Sequence, residues 1–222
     1  FMKQIKKQPQ QSYPDKVVFY VGCYINFNDP QVGLDIVAVM QANHYEVIVE
    51  DDFVCCGSPL VVNGFLEQAE KNAITNTQVM KKWTDKGYPI ITGCTSCGLM
   101  LKQEYQELFD FAYTEENARH IYDCSEFLLE LQDKGKFNDR LGPISEHYLY
   151  HAPCHLRAQG FGLPALDLLA HVPQLKLENA DGGCCGISGN YGMKKEKYEI
   201  AMTIGDKLFQ RIKDSKVKAV VS

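Results

Sequence analysis

The chain has 222 residues, 45% of them hydrophobic and 23% charged, with a formal net charge of −5. That composition buries a sizeable core in one large or two small domains and excludes a disordered or fibrous chain. The acidic balance argues against a nucleic-acid footprint, and no apolar run approaches the roughly 18 residues of a membrane span.

Residues 1–15 carry Gln4, Gln8, Gln10 and Gln11 with two prolines and read as a polar tail or linker. They lack the apolar stretch of a secretory signal, and Phe1 precedes Met2, the order expected of a piece of a longer chain. Lys16–Val21 is a buried strand ending at Gly22. Asn28-Asp29-Pro30 then caps a helix with Val32, Ile36, Val39 and Met40 inward. Tyr45–Val49 is the next strand. A long amphipathic helix follows from Leu66 to Trp83, with Leu66, Ala69, Ala73, Met80 and Trp83 inward. Tyr88–Thr92 is a strand delivering Gly93-Cys94-Thr95-Ser96-Cys97 into a further helix. Glu116–Leu131 reads as helix and Asp133–Pro143 as a polar loop. The order then returns: strand His147–His151, helix Pro164–Ala170, strand Leu175–Leu177, and a helix with Tyr198, Ala201, Met202, Leu208, Phe209 and Ile212 inward. Lys218–Val221 is the last strand. Strands alternating with helices predict parallel sheets.

Nine cysteines stand out: Cys23, Cys55, Cys56, Cys94, Cys97, Cys124, Cys154, Cys184 and Cys185. An odd count without a signal peptide disfavours a disulfide framework. The doublets Cys55-Cys56 and Cys184-Cys185 disfavour both a local disulfide and a mononuclear zinc site, which prefers cysteines two to four residues apart. Two adjacent thiolates suit one polynuclear cluster. The spacing repeats: 131 positions separate Cys23 from Cys154, 129 separate Cys55 from Cys184, and 130 relate Tyr88–Thr92 to Lys218–Ser222. The chain is therefore an internal duplication. The domains expected are 16–115 as the first repeat, 116–145 as a helical linker and 146–222 as the second repeat. The second repeat lacks its C-x-x-C, which its alignment on the first places just beyond Ser222.

Each cysteine of the first repeat follows a strand. In an open parallel sheet ligands gather at strand carboxyl ends, so Cys23, Cys55, Cys56, Cys94 and Cys97 are expected to converge even without metal. The set Cys23, Cys55-Cys56-Gly57-Ser58-Pro59-Leu60, Asn63-Gly64-Phe65, Cys94-x-x-Cys97 and Cys184-Cys185-Gly186-Ile187-Ser188-Gly189-Asn190-Tyr191-Gly192 resembles the cysteine-rich CCG domain family. That domain occurs in pairs in the B subunit of heterodisulfide reductase, in lactate-utilisation iron–sulfur proteins and, most similar here, in the C subunit of anaerobic glycerol-3-phosphate dehydrogenase. The resemblance implies two tandem Rossmann-like α/β repeats related by a pseudo-twofold, corresponding to the carboxy-terminal half of such a protein.

It further implies a non-catalytic iron–sulfur subunit. Cys23, Cys55, Cys56, Cys94 and Cys97 would hold one [4Fe–4S]-type cluster of non-cubane form, and Cys154, Cys184 and Cys185 would serve a second. FAD or FMN would sit only in the partner dehydrogenase subunits A and B. Electrons would pass from glycerol 3-phosphate to membrane quinone in anaerobic respiration, at the cytoplasmic face of the inner membrane and without a transmembrane helix. The alternatives are a lactate-utilisation or heterodisulfide-reductase-type subunit, or a metal-stabilised assembly module.

The remaining motifs read more plainly. Cys124 shares a face with Ile121, Leu128 and Leu131 and reads as packing. His151 and His155 flank Cys154, and His155 is the better candidate ligand or proton carrier. Gly186-x-x-Gly189-x-x-Gly192 lacks the ending of a phosphate loop and reads as backbone wrapped around sulfur. Lys194, Lys195 and Lys197 read as a solvated face and Trp83 as core.

Overall fold

The computed structural model describes residues 1–7, 11–111, 113 and 115–222. Gln8 and Gln10 of the expected tail lie outside them. The chain divides into two compact units, Phe1–Asn138 and Asp139–Ser222.

The first unit runs α1 (Met2–Ile5), β1 (Asp15–Phe19), α2 (Cys23–Phe27), α3 (Pro30–Ala42), β2 (Tyr45–Val49), α4 (Ser58–Val61), α5 (Leu66–Thr84) and β3 (Ile90–Thr92). It continues with α6 (Thr95–Leu99), a π-helical turn at Met100–Glu104, α7 (Tyr105–Leu108), α8 (Glu115–Ala118), β4 (Ile121–Asp123) and α9 (Cys124–Asp133). Its four strands are all parallel in the order β2-β1-β3-β4. Val17, Val18 and Phe19 of β1, and Ile90 and Ile91 of β3, have no solvent exposure. Strands covered on both faces read as continuous apolar runs, and these do. One core cluster joins β1 and β3 to Ala69, Ala73 and Met80 of α5 and to Met100, Leu101 and Tyr105.

The second unit runs β5 (His147–Tyr150), α10 (Cys154–Ala158), α11 (Pro164–Leu169), β6 (Lys176–Asn179), two short 3-10 turns, α12 (Tyr198–Ser215) and β7 (Ala219–Val221). Its strands are parallel in the order β6-β5-β7. This is the β2-β1-β3 core of the first unit over again, so the duplication extends from cysteine spacing to topology. Leu149, Ala180 and Leu208 form its small core.

The structure amends several expectations. The start of the chain is not all tail: Phe1 and Ile5 are buried, and the Phe1 ring meets Phe19 edge-on at 5.6 Å. Apolar side chains within a polar composition were enough to dock it. The expected continuous helix Glu116–Leu131 is interrupted by β4, because Ile121 and Asp123 pair with β3. Asp123 then restarts the helix by accepting from Ser125 N–H at 2.8 Å, while Glu126 accepts from Asp123 N–H at 2.9 Å. In α3 the buried stripe is Gly33, Ile36, Val37 and Met40, leaving Val32 and Val39 exposed. The close approach of Phe1 and Ile25 to Gly33 turns the helix that way. Leu66, Tyr198 and Met202 are likewise exposed, since α5 and α12 lie down on narrower stripes of small residues.

Candidate functional site: two cysteine clusters at strand ends

Strand order reverses between β1 and β3, and loops leaving neighbouring strands in opposite directions open a crevice there. Cys23 begins α2 directly after β1, and Cys94 is the N-cap of α6 directly after β3. Cys97 lies one turn into α6, its side chain buried, and the Cys55-Cys56 loop enters beyond β2. Gly22 makes the junction possible. Its φ is +71°, and a Cβ there would stand 3.2 Å from the Cys97 sulfur.

All five predicted cysteines of the first repeat come together, as free thiols in a chain of sulfur contacts. Cys23 donates to Cys55, and Cys55 donates to Cys56. Cys97 lies between Cys56 and Cys94 and has one S–H proton to share between them. Cys56 and Cys94 are thus acceptors, and the thiol donors stabilise their thiolates. Hydrogen bonds from Cys55 and Cys97, helped by the Ser58 N–H, hold Cys56 down to about 5 despite burial. The Cys97 thiol, with the Cys97 and Ser96 amides, holds Cys94 at about 7 against burial. The donors shift the other way: donation to Cys55 raises Cys23, and donation to Cys56 and Cys94 raises Cys97. At Cys55 the bond from Cys23 is outweighed by donation to Cys56 and by burial, leaving it raised.

Among the described residues no three His, Cys, Asp or Glu side chains are grouped as a single metal ion requires. Five sulfurs linked in series are a donor set that suits iron–sulfur ligation, in which Cys thiolates hold the irons. A groove of about 240 Å³ lined by Gly22, Cys23, Phe27, Phe53, Val54 and Cys55 opens beside the chain. Cys23 is its solvent-facing member, and the Phe27 ring, 79% exposed, stands at its rim. Hollows of about 370 and 540 Å³ elsewhere in the unit contain no cysteine.

Residues that sequence reasoning passed over hold the Cys55-Cys56 loop. Asn72 donates to Cys55 O at 3.1 Å, and Asn76 donates to the same oxygen at 3.4 Å. Tyr105 donates to Cys56 O at 2.9 Å, and Tyr20 donates to Val54 O at 2.6 Å. Asn76 had a signal. It falls between Ala73 and Met80 on the inward stripe of α5, and a fully buried amide in an apolar stripe demands partners.

In the second unit Cys154, at the start of α10, donates to Cys184, and Cys185 lies within electrostatic reach. Burial first, and then Cys184, raises the Cys154 thiol. Gly186 N–H donates to the Cys184 sulfur at 3.3 Å. Of the glycine-rich segment, Gly186 touches sulfur, and Gly186 and Gly189 have positive φ. His151 is buried with both ring nitrogens taken, Nε2 by Gly183 O at 3.2 Å and Nδ1 by Ser222 Oγ at 3.1 Å. It is a strand-end histidine. His155 is half-buried, and burial lowers its pKa. Cys124 stands apart from both clusters, its thiol pushed up to about 12 by burial. Trp83 packs at the core margin and donates from Nε1 to Glu50 at 2.9 Å.

Two parallel α/β repeats, each gathering a cysteine doublet and a strand-end cysteine, define a class of cysteine-rich modules. The cysteine-rich CCG domain model matches residues 17–102 and 148–222, and the chain belongs to that family. Over 96% of its length it is 38% identical to the C subunit of the anaerobic glycerol-3-phosphate dehydrogenase of Escherichia coli (strain K12), spanning 54% of that protein. The B subunit of the fumarate reductase (CoM/CoB) of Methanothermobacter marburgensis is 34% identical over 96% of the chain and 40% of the relative. Lactate utilization protein A 2 of Bacillus cereus (strain AH820) is 28% identical over 93% of the chain and 85% of the relative. The chain thus spans about half, or less, of the first two relatives.

Proposed function

We propose that this chain is the cluster-bearing part of an electron-transfer subunit serving a flavin-containing glycerol-3-phosphate dehydrogenase. The observation that carries the reading is the convergence of Cys23, Cys55, Cys56, Cys94 and Cys97, with thiolates already favoured at Cys56 and Cys94. These five residues would hold one iron–sulfur cluster, of [4Fe–4S] type and non-cubane form. Cys154, Cys184 and Cys185 would contribute to a second. Such a cluster supplies one-electron transfer. The protein supplies sulfur ligands, amide hydrogen bonds to sulfur and a buried, low-dielectric wall on the core side. The similarity to the C subunit of a dehydrogenase supports partners resembling flavin-bearing subunits A and B, with quinone as final acceptor at the cytoplasmic face of the membrane. No helix among the described residues is long and apolar enough to cross a bilayer.

A second reading, a lactate-oxidising system, is favoured by the similarity to lactate utilization protein A 2, which the chain matches over 85% of that relative's length. Anaerobic reconstitution with iron and sulfide, followed by iron and acid-labile sulfide assays and electron paramagnetic resonance, tests the cluster. Reduction of the reconstituted chain by a glycerol-3-phosphate dehydrogenase flavoprotein rather than by a lactate-oxidising one separates the two readings. A chain that takes up no sulfide refutes both.

A further inference from the structure

The Cys55-Cys56 loop is gripped through its carbonyls. Asn76 is fully buried and spends its whole amide on this loop and its support. Its Oδ1 accepts from Val54 N–H at 2.9 Å, and its Nδ2 donates to Cys55 O at 3.4 Å and to the Tyr105 hydroxyl at 3.0 Å. The Tyr105 hydroxyl, so oriented, donates onward to Cys56 O at 2.9 Å. A peptide unit is planar, with its C=O and N–H on opposite sides. Fixing Cys56 O therefore fixes the N–H of Gly57, which donates to the Cys55 sulfur. The same peptide acts alike in the second unit, where Gly186 N–H donates to the Cys184 sulfur.

The two units differ in what stands behind that peptide. Gly57 rests on Ala69, and Gly186 rests on Ala201, which sets α12 on α5 at an offset of 132 positions. The buried stripe Ala69, Ala73, Asn76 of α5 then matches Ala201, Gly205, Leu208 of α12. Leu208 stands where Asn76 does, and backbone packing against Gly205 replaces the amide beside Cys185 O.

We propose that Asn76 and Tyr105 are positioning residues peculiar to the first motif, holding the Cys56–Gly57 peptide so that its amide faces the Cys55 sulfur and presents the doublet ready for metal. This rests on the cluster reading, so its test does not rely on cluster activity. Tyr105→Phe removes one hydroxyl. Asn76→Leu installs the second unit's residue. Tyr113→Phe, which removes a buried tyrosine hydroxyl donating to Leu101 O and keeps the ring packed on Tyr105, is the matched control. Asn72→Ala, at a half-buried position, trims one bond to Cys55 O without opening the core.

In the reduced, metal-free full chain, alkylation of each cysteine by iodoacetamide is followed by mass spectrometry. Co²⁺ is titrated in parallel through its thiolate charge-transfer absorbance. Loss of a residue supporting a metal ligand costs about ten- to a hundredfold in affinity. Tyr105→Phe and Asn76→Leu are expected to weaken Co²⁺ binding about tenfold and to speed alkylation of Cys55. Asn72→Ala should do so to a lesser degree, with Cys154, Cys184 and Cys185 unchanged. Wild-type behaviour in Tyr105→Phe, or an equal loss in Tyr113→Phe, overturns the proposal. If the wild type fails to take up iron and sulfide while the alkylation differences persist, the cluster reading falls and the clamp stands.

Discussion

The equivalent glycines of the two doublets make a sharp test of how the loops are packed. Gly57 and Gly186 each follow a cysteine pair, with φ of +93° and +84°. Alanine at either position puts an L side chain in left-handed backbone, at roughly 1–2 kcal/mol. The surroundings then separate them. A Cβ on Gly57 meets Ala69 at 3.4 Å, ordinary van der Waals contact. A Cβ on Gly186 overlaps the Ala201 carbonyl oxygen and lies 2.8 Å from its carbonyl carbon. That backbone belongs to α12 and moves only if the helix does, so overpacking adds roughly 1–3 kcal/mol. Gly57→Ala should cost the first unit about 1–2 kcal/mol, and Gly186→Ala should cost the second about 2–5 kcal/mol. For a unit this small the latter lowers the melting temperature by at least about 8 °C. Hydrogen exchange of the β1 and β5 amides reads each unit separately. Equal losses at β1 and β5, or a larger loss at β1, would show that the loop of the second unit is not pressed on α12.

Three further outcomes are expected. Cys97→Ser should replace a thiolate ligand by a poorly ligating hydroxyl and lower the iron bound after reconstitution, whereas Cys124→Ser should leave it unchanged; equal iron in the two variants contradicts the assignment. Leu149→Ala should destabilise the second unit by about 2–5 kcal/mol, because Leu149 is fully buried at the centre of a very small core; urea unfolding followed by β5 exchange measures it. Burial works against the Glu50 carboxylate, but hydrogen bonds from Lys82, Asp52 N–H and Trp83 Nε1 outweigh it and leave its pKa below 4.5. A depressed folded-state pKa means stability present above pH 4.5 and lost as pH falls through the folded value, so Glu50→Gln should flatten the pH dependence of the urea midpoint below about pH 5.

The cysteine spacing, the duplication and the alternation of strands and helices were legible in the chain because each is a local or periodic property. A parallel sheet forces ligands to strand carboxyl ends, so Cys23, Cys55, Cys56, Cys94 and Cys97 could be placed at one edge before any coordinates. The helical stripes were legible only to within a position: Val32, Val39 and Met202 lie one step off the buried face. Which step is buried depends on the neighbour, here Phe1 and Ile25 against Gly33, and periodicity does not encode neighbours.

Tertiary structure alone decided the rest. It made a strand of Ile121–Asp123 by offering β3 a free edge, although the flanking pattern favours helix. It buried Phe1, from a segment whose composition is that of a linker. It brought Asn76 and Tyr105, 29 positions apart, onto the carbonyls of one loop. Above all it set the direction of each sulfur contact. Cysteine identity does not distinguish the five thiols, and only their folded geometry favours ionisation at Cys56 and Cys94 and disfavours it at Cys97.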